Sequence, residues 1–380
     1  MNIPLLDLKA QYSTIKKEIG HAIKEVFKSQ HFILGPKVEE LEKNIAVYAD
    51  TKFAVGVSSG TDALLVSLMA LDIKPGDEII TTPFTFFSTA GVIARLNATP
   101  VFIDIDPVTY NIDPKKIEPA VTEKTKAIIP VHLFGQSADM DPILEIAKKF
   151  SLYIIEDAAQ TIGAEYKAKR AGSIGDLGIF SFFPSKNLGG YGDGGMVVTH
   201  NENLYEKIKS LRVHGSKPKY YHKIVGGNFR LDAIQAAVLN VKLKYLDQWS
   251  QKRRENADFF DRRFKEIGLI NNSHIKTPEP VYINNGSKNY HIYNQYTIQA
   301  KNRDKLRLFL KENGIGAEIY YPLPLHLQEC FEDLKYKKGY LLNSEKASEA
   351  VLSIPVYPEL KNEQKEYIVQ KIFNFYKEIQ

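Results

Sequence analysis

Apolar positions along the chain fall into two rhythms. FAVGVSS (53–59), EIITTP (78–83), ATPVFIDI (98–105), AIIPVH (127–132) and YIIED (153–157) are short, β-branched, nearly continuous runs bounded by Gly, Pro or Asp. Between them lie segments of helical period such as ALLVSLMALDI (63–73) and DPILEIAKKF (141–150). Strands that are apolar on both faces and alternate with helices predict an α/β fold, a mainly parallel sheet sandwiched by helices. Such sheets bind ligands at the carboxyl ends of their strands. Past Leu231 the rhythm changes. Helical periodicity over 231–268 is too long for one ordinary helix and predicts two helices, or one bent helix, joining two domains. NQYTIQA (294–300) then reads as a strand, and NRDKLRLFLKENG (302–314) as a helix closed by Gly314. The expected division is a large ligand-binding domain over 1–245 and a smaller C-terminal α+β domain over 246–380.

Composition narrows the partners. A chain of 380 residues with 44% apolar content can build a large core. Its 50 basic and 45 acidic residues leave a net charge of only +5, so neither nucleic acid nor a membrane surface is expected as a partner. A single cysteine, Cys330, rules out a multi-cysteine metal site and suits a reducing compartment, and no metal is expected. The opening MNIPLLDLKAQYSTIKKEI lacks a basic head followed by an apolar run, and no run reaches membrane-span length. A cytoplasmic location is expected.

Candidate chemistry concentrates at the ends of the predicted strands. In SSGTDALL (58–65), Gly60 permits close approach, Thr61 offers a hydroxyl and the helix start presents unpaired amides. The segment reads either as an anion cup or as a helix cap by Ser59 or Thr61. Asp157 ends an apolar strand, where a carboxylate needs a positive partner: an Arg or Lys side chain, or a protonated ring nitrogen on a cofactor. In SFFPSKNLGGYGDGG (181–195), Gly190, Gly192 and Gly195 match the dinucleotide spacing G-x-G-x-x-G. The strand-like MVVTH follows in place of the required helix, so a nicotinamide site is not expected. These glycines are expected to let the backbone turn tightly, since glycine adopts conformations that other residues avoid.

Taken together, the features match the contacts pyridoxal 5'-phosphate requires. Gly60 and Thr61 supply a phosphate cup, Phe86 in TPFTFFSTA a ring to stack on, Asp157 an acid for the pyridine nitrogen, and Lys186 the amine for a Schiff base. The chain resembles the DegT/DnrJ/EryC1/StrS sugar aminotransferases of the fold type I aspartate aminotransferase superfamily. The likeness runs from IPLLDLKAQY through FILGPKVEELE, GTDAL, DEIITTPFTF, IIEDAAQTIGA and GDLGIFSFFPSKNLGGYGDGGM to GGNFRLDAIQAAVL. It implies that Lys186 is the cofactor lysine and proton shuttle, that Asp157 pairs with the ring nitrogen, and that Gln160 approaches the ring oxygen. It further implies that Gly60, Thr61 and Ser181 hold the phosphate, and that Asn228 completes that site from the other subunit of a homodimer with shared active sites. Phe86 stands where many relatives carry tyrosine, so stacking is kept and a hydroxyl contact is lost. Lysine at 186, where similar sugar dehydratases have histidine, implies transamination.

The resemblance also implies a ping-pong reaction that moves nitrogen from an amino acid, expected to be L-glutamate, to a nucleotide-linked keto sugar. Arg230 is expected at the nucleotide diphosphate, and Tyr320, Tyr321 and His326 in GAEIYYPLPLHLQ at the sugar nucleotide. Tyr320 replaces a histidine found in several relatives. HLFGQSADMDPI, KYYHKIVGGNFRLD and YNQYTI look nearest to members acting on UDP-linked 2-acetamido-2-deoxy-3-keto hexoses. The expected product is a UDP-2-acetamido-3-amino sugar, of the kind found in lipid A variants or O-antigen. UDP-3-keto-glucuronate and dTDP-linked 3-keto or 4-keto sugars stand as alternatives, and a non-catalytic regulator on this fold as a reading of a different class.

Overall fold

The computed structural model describes residues 1–378. The described residues form twelve strands: β1 (Phe53–Val57), β2 (Glu78–Thr81), β3 (Thr99–Phe102), β4 (Thr125–Ile128), β5 (Tyr153–Asp157), β6 (Glu165–Tyr166), β7 (Lys169–Arg170), β8 (Leu177–Ser181), β9 (Gly195–Thr199), β10 (Ile275–Lys276), β11 (Tyr296–Ala300) and β12 (Val351–Ile354). Seven of them make the central sheet in the order β1-β9-β8-β5-β4-β2-β3. The run from β8 to β3 is parallel, and β9 pairs antiparallel with both β1 and β8.

Neighbouring residues along each strand serve different cores, as the two-residue period of a strand requires. Val55, Ile79, Ile155, Ile179 and Val197 join the core beneath the Gly60–Ala70 and Glu202–Leu211 helices. Ala54, Phe180, Met196 and Val198 join another, formed with the Leu8–Ser29, Pro36–Tyr48 and Ala233–Leu243 helices. Ile80, Ile128 and Ile154 pack against Met140, Ile143 and Ala147 of the Met140–Phe150 helix. Both faces of the sheet are therefore covered. Fully burying each such aliphatic side chain contributes about 1.5–3 kcal/mol.

The expected long helical stretch is two helices, Ala233–Leu243 and Leu246–Glu266. Leu246 and Trp249 of the second belong to the first core, whereas Ala257, Phe260 and Phe264 belong to a separate core around the antiparallel β10-β11-β12 sheet. The helix thus spans two hydrophobic units. Ile3 also packs in the second unit, where its amide donates to the Gly314 carbonyl at 2.7 Å.

The glycine segment is corrected by the structure. None of Gly189, Gly190, Gly192, Gly194 and Gly195 has a left-handed φ. Space is what excludes a side chain. A Cβ on Gly189 would lie 2.2 Å from the Pro184 carbonyl oxygen and one on Gly195 2.4 Å from the Ser59 carbonyl oxygen, both backbone, whereas one on Gly192 would meet the movable end of Gln235, 2.7 Å from its Nε2. Gly195 opens β9, so no helix follows the dinucleotide-like spacing.

Candidate active site

The carboxyl ends of β5 and β8 and the start of the Gly60–Ala70 helix meet at a cavity of about 740 Å³. Gly60, Thr61, Phe86, Asp157, Gln160, Ser181, Lys186, Tyr320 and Tyr321 all line it. Residues far apart in sequence thus converge where a parallel sheet is open to ligand.

Local structure explains each placement. Ser59 caps the helix by accepting from the Asp62 amide at 3.0 Å, which leaves the Gly60 and Thr61 amides without an intrahelical partner. The helix packs so closely on β8 that a Cβ at Gly60 would lie 2.7 Å from that of Ser181. Two free amides, the positive end of the helix and the Ser181 hydroxyl consequently share one corner of the cavity, an arrangement suited to an anion.

Asp157 ends β5 and is buried. Its Oδ2 accepts from Thr89 Oγ1 at 2.8 Å, and its Oδ1 accepts from the Ala159 amide at 3.2 Å. Burial pushes its proton affinity up, against these hydrogen bonds and the pull of Lys186. Lys186 sits in the turn after β8, its amide donating to the Phe183 carbonyl at 2.8 Å. Its half-buried ammonium is pushed down to about 8 by lost hydration, with Asp157 opposing. Among the described residues, neither side chain is held in an ion pair within 4 Å.

The alternation along β5 gives Glu156 a structural task on the other face. It accepts from the amides of Gly172, Ile174 and Gly175 at 2.9, 2.6 and 2.7 Å. His132 Nδ1 accepts from the Ala138 amide, so the proton on Nε2 is donated to Glu156, 2.8 Å away. At the far wall, Gln160 Oε1 accepts from the Phe134 amide at 2.8 Å and its Nε2 donates to the Tyr321 hydroxyl at 3.1 Å. Phe86 is 56% exposed and leans toward the Tyr321 ring, 6.5 Å between centroids.

Two expected residues, His326 and Arg230, are not brought to this cavity, and Asn228, expected from a second copy, is not part of its own chain's cavity. His326 is buried in the second unit's contact with the sheet, 3.2 Å from Glu345 and edge-on to Tyr336. Arg230 lines an adjoining recess with Ser58, Asp62, Asp193 and Asp232. Asn228 is exposed and paired with Val213 away from the cavity of its own chain. Conversely, Thr89, Asp193, Gln295 and Glu318 belong to the site or its support without having been expected there. Thr89 had a signal, a hydroxyl beside the TPFTFF aromatics at a helix start; Gln295 and Glu318 had none.

The residues fit pyridoxal 5'-phosphate. A dehydrated amine, a buried acid without a cation, a helix-end anion corner and a flanking aromatic are what its aldehyde, ring nitrogen, phosphate and ring need. Comparison with known proteins agrees. Residues 13–373 match the DegT/DnrJ/EryC1/StrS aminotransferase family. A pleiotropic regulatory protein of Geobacillus stearothermophilus is 53% identical over 378 residues, 99% of either chain. Two relatives are each 42% identical. The UDP-2-acetamido-2-deoxy-3-oxo-D-glucuronate aminotransferase of Pseudomonas aeruginosa matches over 94% of this chain and 96% of its own. The UDP-N-acetyl-3-dehydro-alpha-D-glucosamine 3-aminotransferase of Acidithiobacillus ferrooxidans matches over 95% of each. DesV of S. venezuelae, solved in complex with a ketimine intermediate, superposes with a TM-score of 0.92 at 37% identity over 98% of both chains. The chain therefore belongs to the DegT/DnrJ/EryC1/StrS aminotransferase family and is a pyridoxal-phosphate-dependent enzyme acting on nucleotide-linked keto sugars.

Proposed function

We propose that the enzyme transfers nitrogen from L-glutamate to a UDP-linked 2-acetamido-2-deoxy-3-keto hexose of neutral, glucose type, yielding the 3-amino sugar. The observation that carries this reading is the convergence of Lys186, Asp157 and the Gly60–Ala70 helix end on one cavity. Bound pyridoxal phosphate supplies an electron sink for the carbon that loses its proton. The protein's part is to hold and move protons. Lys186, its affinity lowered to about 8 by burial, exchanges one between the amino donor's α-carbon and the cofactor within a single site. Asp157 remains an anion opposite the ring nitrogen's positive charge, which offsets its burial cost. Gly60, Thr61 and Ser181 hold the phosphate, Phe86 flanks the ring and Gln160 faces its oxygen.

Two 42% identical relatives are named for UDP-linked 3-oxo sugars, which supports that carrier and ketone position. Charge supports a neutral sugar. Among the described residues that line the cavity, Lys186 is the only basic one, against the acidic Asp157, Asp193 and Glu318, so a uronate carboxylate finds no free cation among them. Asn228, exposed and away from its own chain's cavity, is assigned to the cavity of a second copy in a homodimer, and Arg230, in the adjoining recess, to the nucleotide diphosphate. The regulatory name of the Geobacillus relative does not displace an enzymatic reading, because a purely regulatory fold has no need of the Lys186 and Asp157 pair.

The test is product analysis by mass spectrometry and NMR with glutamate and UDP- and dTDP-linked 3-keto and 4-keto sugars, the uronate included. Amination of the neutral UDP-3-keto sugar is expected to dominate. Exclusive amination of 4-keto sugars or of the uronate would overturn the assignment.

A further inference from the structure

Thr89 lies on the Ser88–Arg95 helix, fully buried, and its hydroxyl is 2.8 Å from Asp157 Oδ2 and 3.2 Å from Thr85 Oγ1. An ionised carboxylate only accepts hydrogen bonds, so Thr89 donates to Asp157. Its single proton being spent, Thr89 accepts from Thr85. The order of donation is then fixed as Thr85 to Thr89 to Asp157, and hydrogen bonds so chained strengthen one another. Thr85 is 3% exposed and lines the cavity, so the relay begins at the site wall and ends on the acid.

We propose that Thr89 is a positioning residue for the reaction, fed by Thr85, which fixes Asp157 in one rotamer and in its ionised form as the partner of the cofactor's ring nitrogen. The inference rests on the role given above to Asp157. The geometry leaves little else to do this work: the other donor to the carboxylate is the Ala159 amide at 3.2 Å, a longer bond from the acid's own loop. Lys186 acts on Asp157 only as a charge, outside ion-pair distance. His132, beside the strand end in the fold, donates its backbone amide to the Asp157 carbonyl at 3.0 Å and turns its ring to Glu156. Thr89 is thus the one side chain among the described residues that hydrogen-bonds to the carboxylate.

The test uses the full-length apoenzyme titrated with pyridoxal phosphate, followed by fluorescence, so no sugar enters the readout. Losing a hydrogen bond to a charged group is expected to weaken binding about 12- to 150-fold. Thr89→Val is expected to weaken cofactor binding by that factor and to move the acid limb of binding to higher pH, since Asp157 then protonates sooner as pH falls. Thr89→Ser, which keeps the hydroxyl, is expected to restore both. Thr85→Val, one step back in the relay, is expected to shift both in the same direction by a smaller amount and keeps the test open should Thr89→Val not fold. Unchanged affinity and acid limb in Thr89→Val or in Thr85→Val, or a Thr89→Ser protein that behaves like Thr89→Val, would overturn the proposal. A wild-type protein that binds no pyridoxal phosphate would instead overturn the role of Asp157 on which it rests.

Discussion

Gln160 and Tyr321 are joined across the cavity, Gln160 Nε2 donating to the Tyr321 hydroxyl at 3.1 Å. Because Gln160 Oε1 already accepts from the Phe134 amide, the amide cannot rotate without losing both bonds. The contact ties the loop after β5 to the segment beside the second unit, where Tyr321 also packs edge-on against Phe84. Tyr321→Phe removes the hydroxyl and keeps the ring. At about 0.5–1.5 kcal/mol for one neutral hydrogen bond, pyridoxal phosphate should dissociate about 2- to 12-fold more readily, with little change in Tm. Equilibrium titration and thermal melts on one preparation check this. A lowered Tm with unchanged affinity would assign the bond to folding alone.

Lys186 carries a stability cost that its removal should reveal. Its affinity in the folded chain is lowered to about 8, while in the unfolded chain it keeps the ordinary lysine value. Between those values the unfolded state binds more protons, so apoenzyme stability rises as pH climbs through this window. Lys186→Met lacks this rise and should melt higher than wild type below pH 8, the gap closing at alkaline pH. Turnover and borohydride-sensitive visible absorbance should both vanish. Lys242, buried against the Gly189 carbonyl and also lowered to about 8, contributes the same slope to both proteins and drops out of the difference. A Lys186→Met apoenzyme that melts below wild type at pH 7 would contradict the burial cost.

What the sequence disclosed depends on how local the cause is. β1 to β5 were legible because a doubly buried strand is continuously apolar. Gly60 and Thr61 were legible at a helix start and Asp157 at a strand end, whereas Lys186, in the turn after β8, was legible only from the company of the others. Gln295 and Glu318 reach the cavity only through docking of the second unit, which no short segment encodes. The glycine run showed its tight spacing in sequence while its reason, contact with Pro184, Gln235 and Ser59, comes from other parts of the chain. His326 failed for the same cause. It was expected at the sugar nucleotide, yet the fold buries it beside Glu345.

That burial makes His326 a stability residue. Burial lowers its proton affinity, with Glu345 opposing, so the ring is held neutral in the fold. His326→Ala leaves a hole and removes one partner from Glu345, a loss of about 1–3 kcal/mol. Glu345 keeps its bonds from the Gly339 and Leu341 amides, so the loop it anchors should persist. A lower denaturation midpoint with an unchanged KM for the keto sugar is expected. A KM raised tenfold at unchanged stability would return His326 to the substrate site.

The tightest steric constraint on the anion corner lies at Gly195. A Cβ there would stand 2.4 Å from the Ser59 carbonyl oxygen and 2.8 Å from the Gly60 amide nitrogen, both parts of the helix start that faces the cavity. Its φ is not left-handed, so alanine meets no conformational penalty and the clash acts alone. Something must give, and β9, paired on both sides, is the stiffer party. Gly195→Ala should therefore displace Ser59 and the Gly60 and Thr61 amides, costing about 1–3 kcal/mol of overpacking. Affinity for pyridoxal phosphate is expected to fall more than affinity for pyridoxal, which lacks the phosphate. Gly20→Ala is the matched control: nothing lies within 4 Å of its Cβ, it sits inside the Leu8–Ser29 helix, and the change should stabilise by about 0.5–1 kcal/mol. Equal losses for the two cofactor forms in Gly195→Ala would mean that the displaced amides do not hold the phosphate.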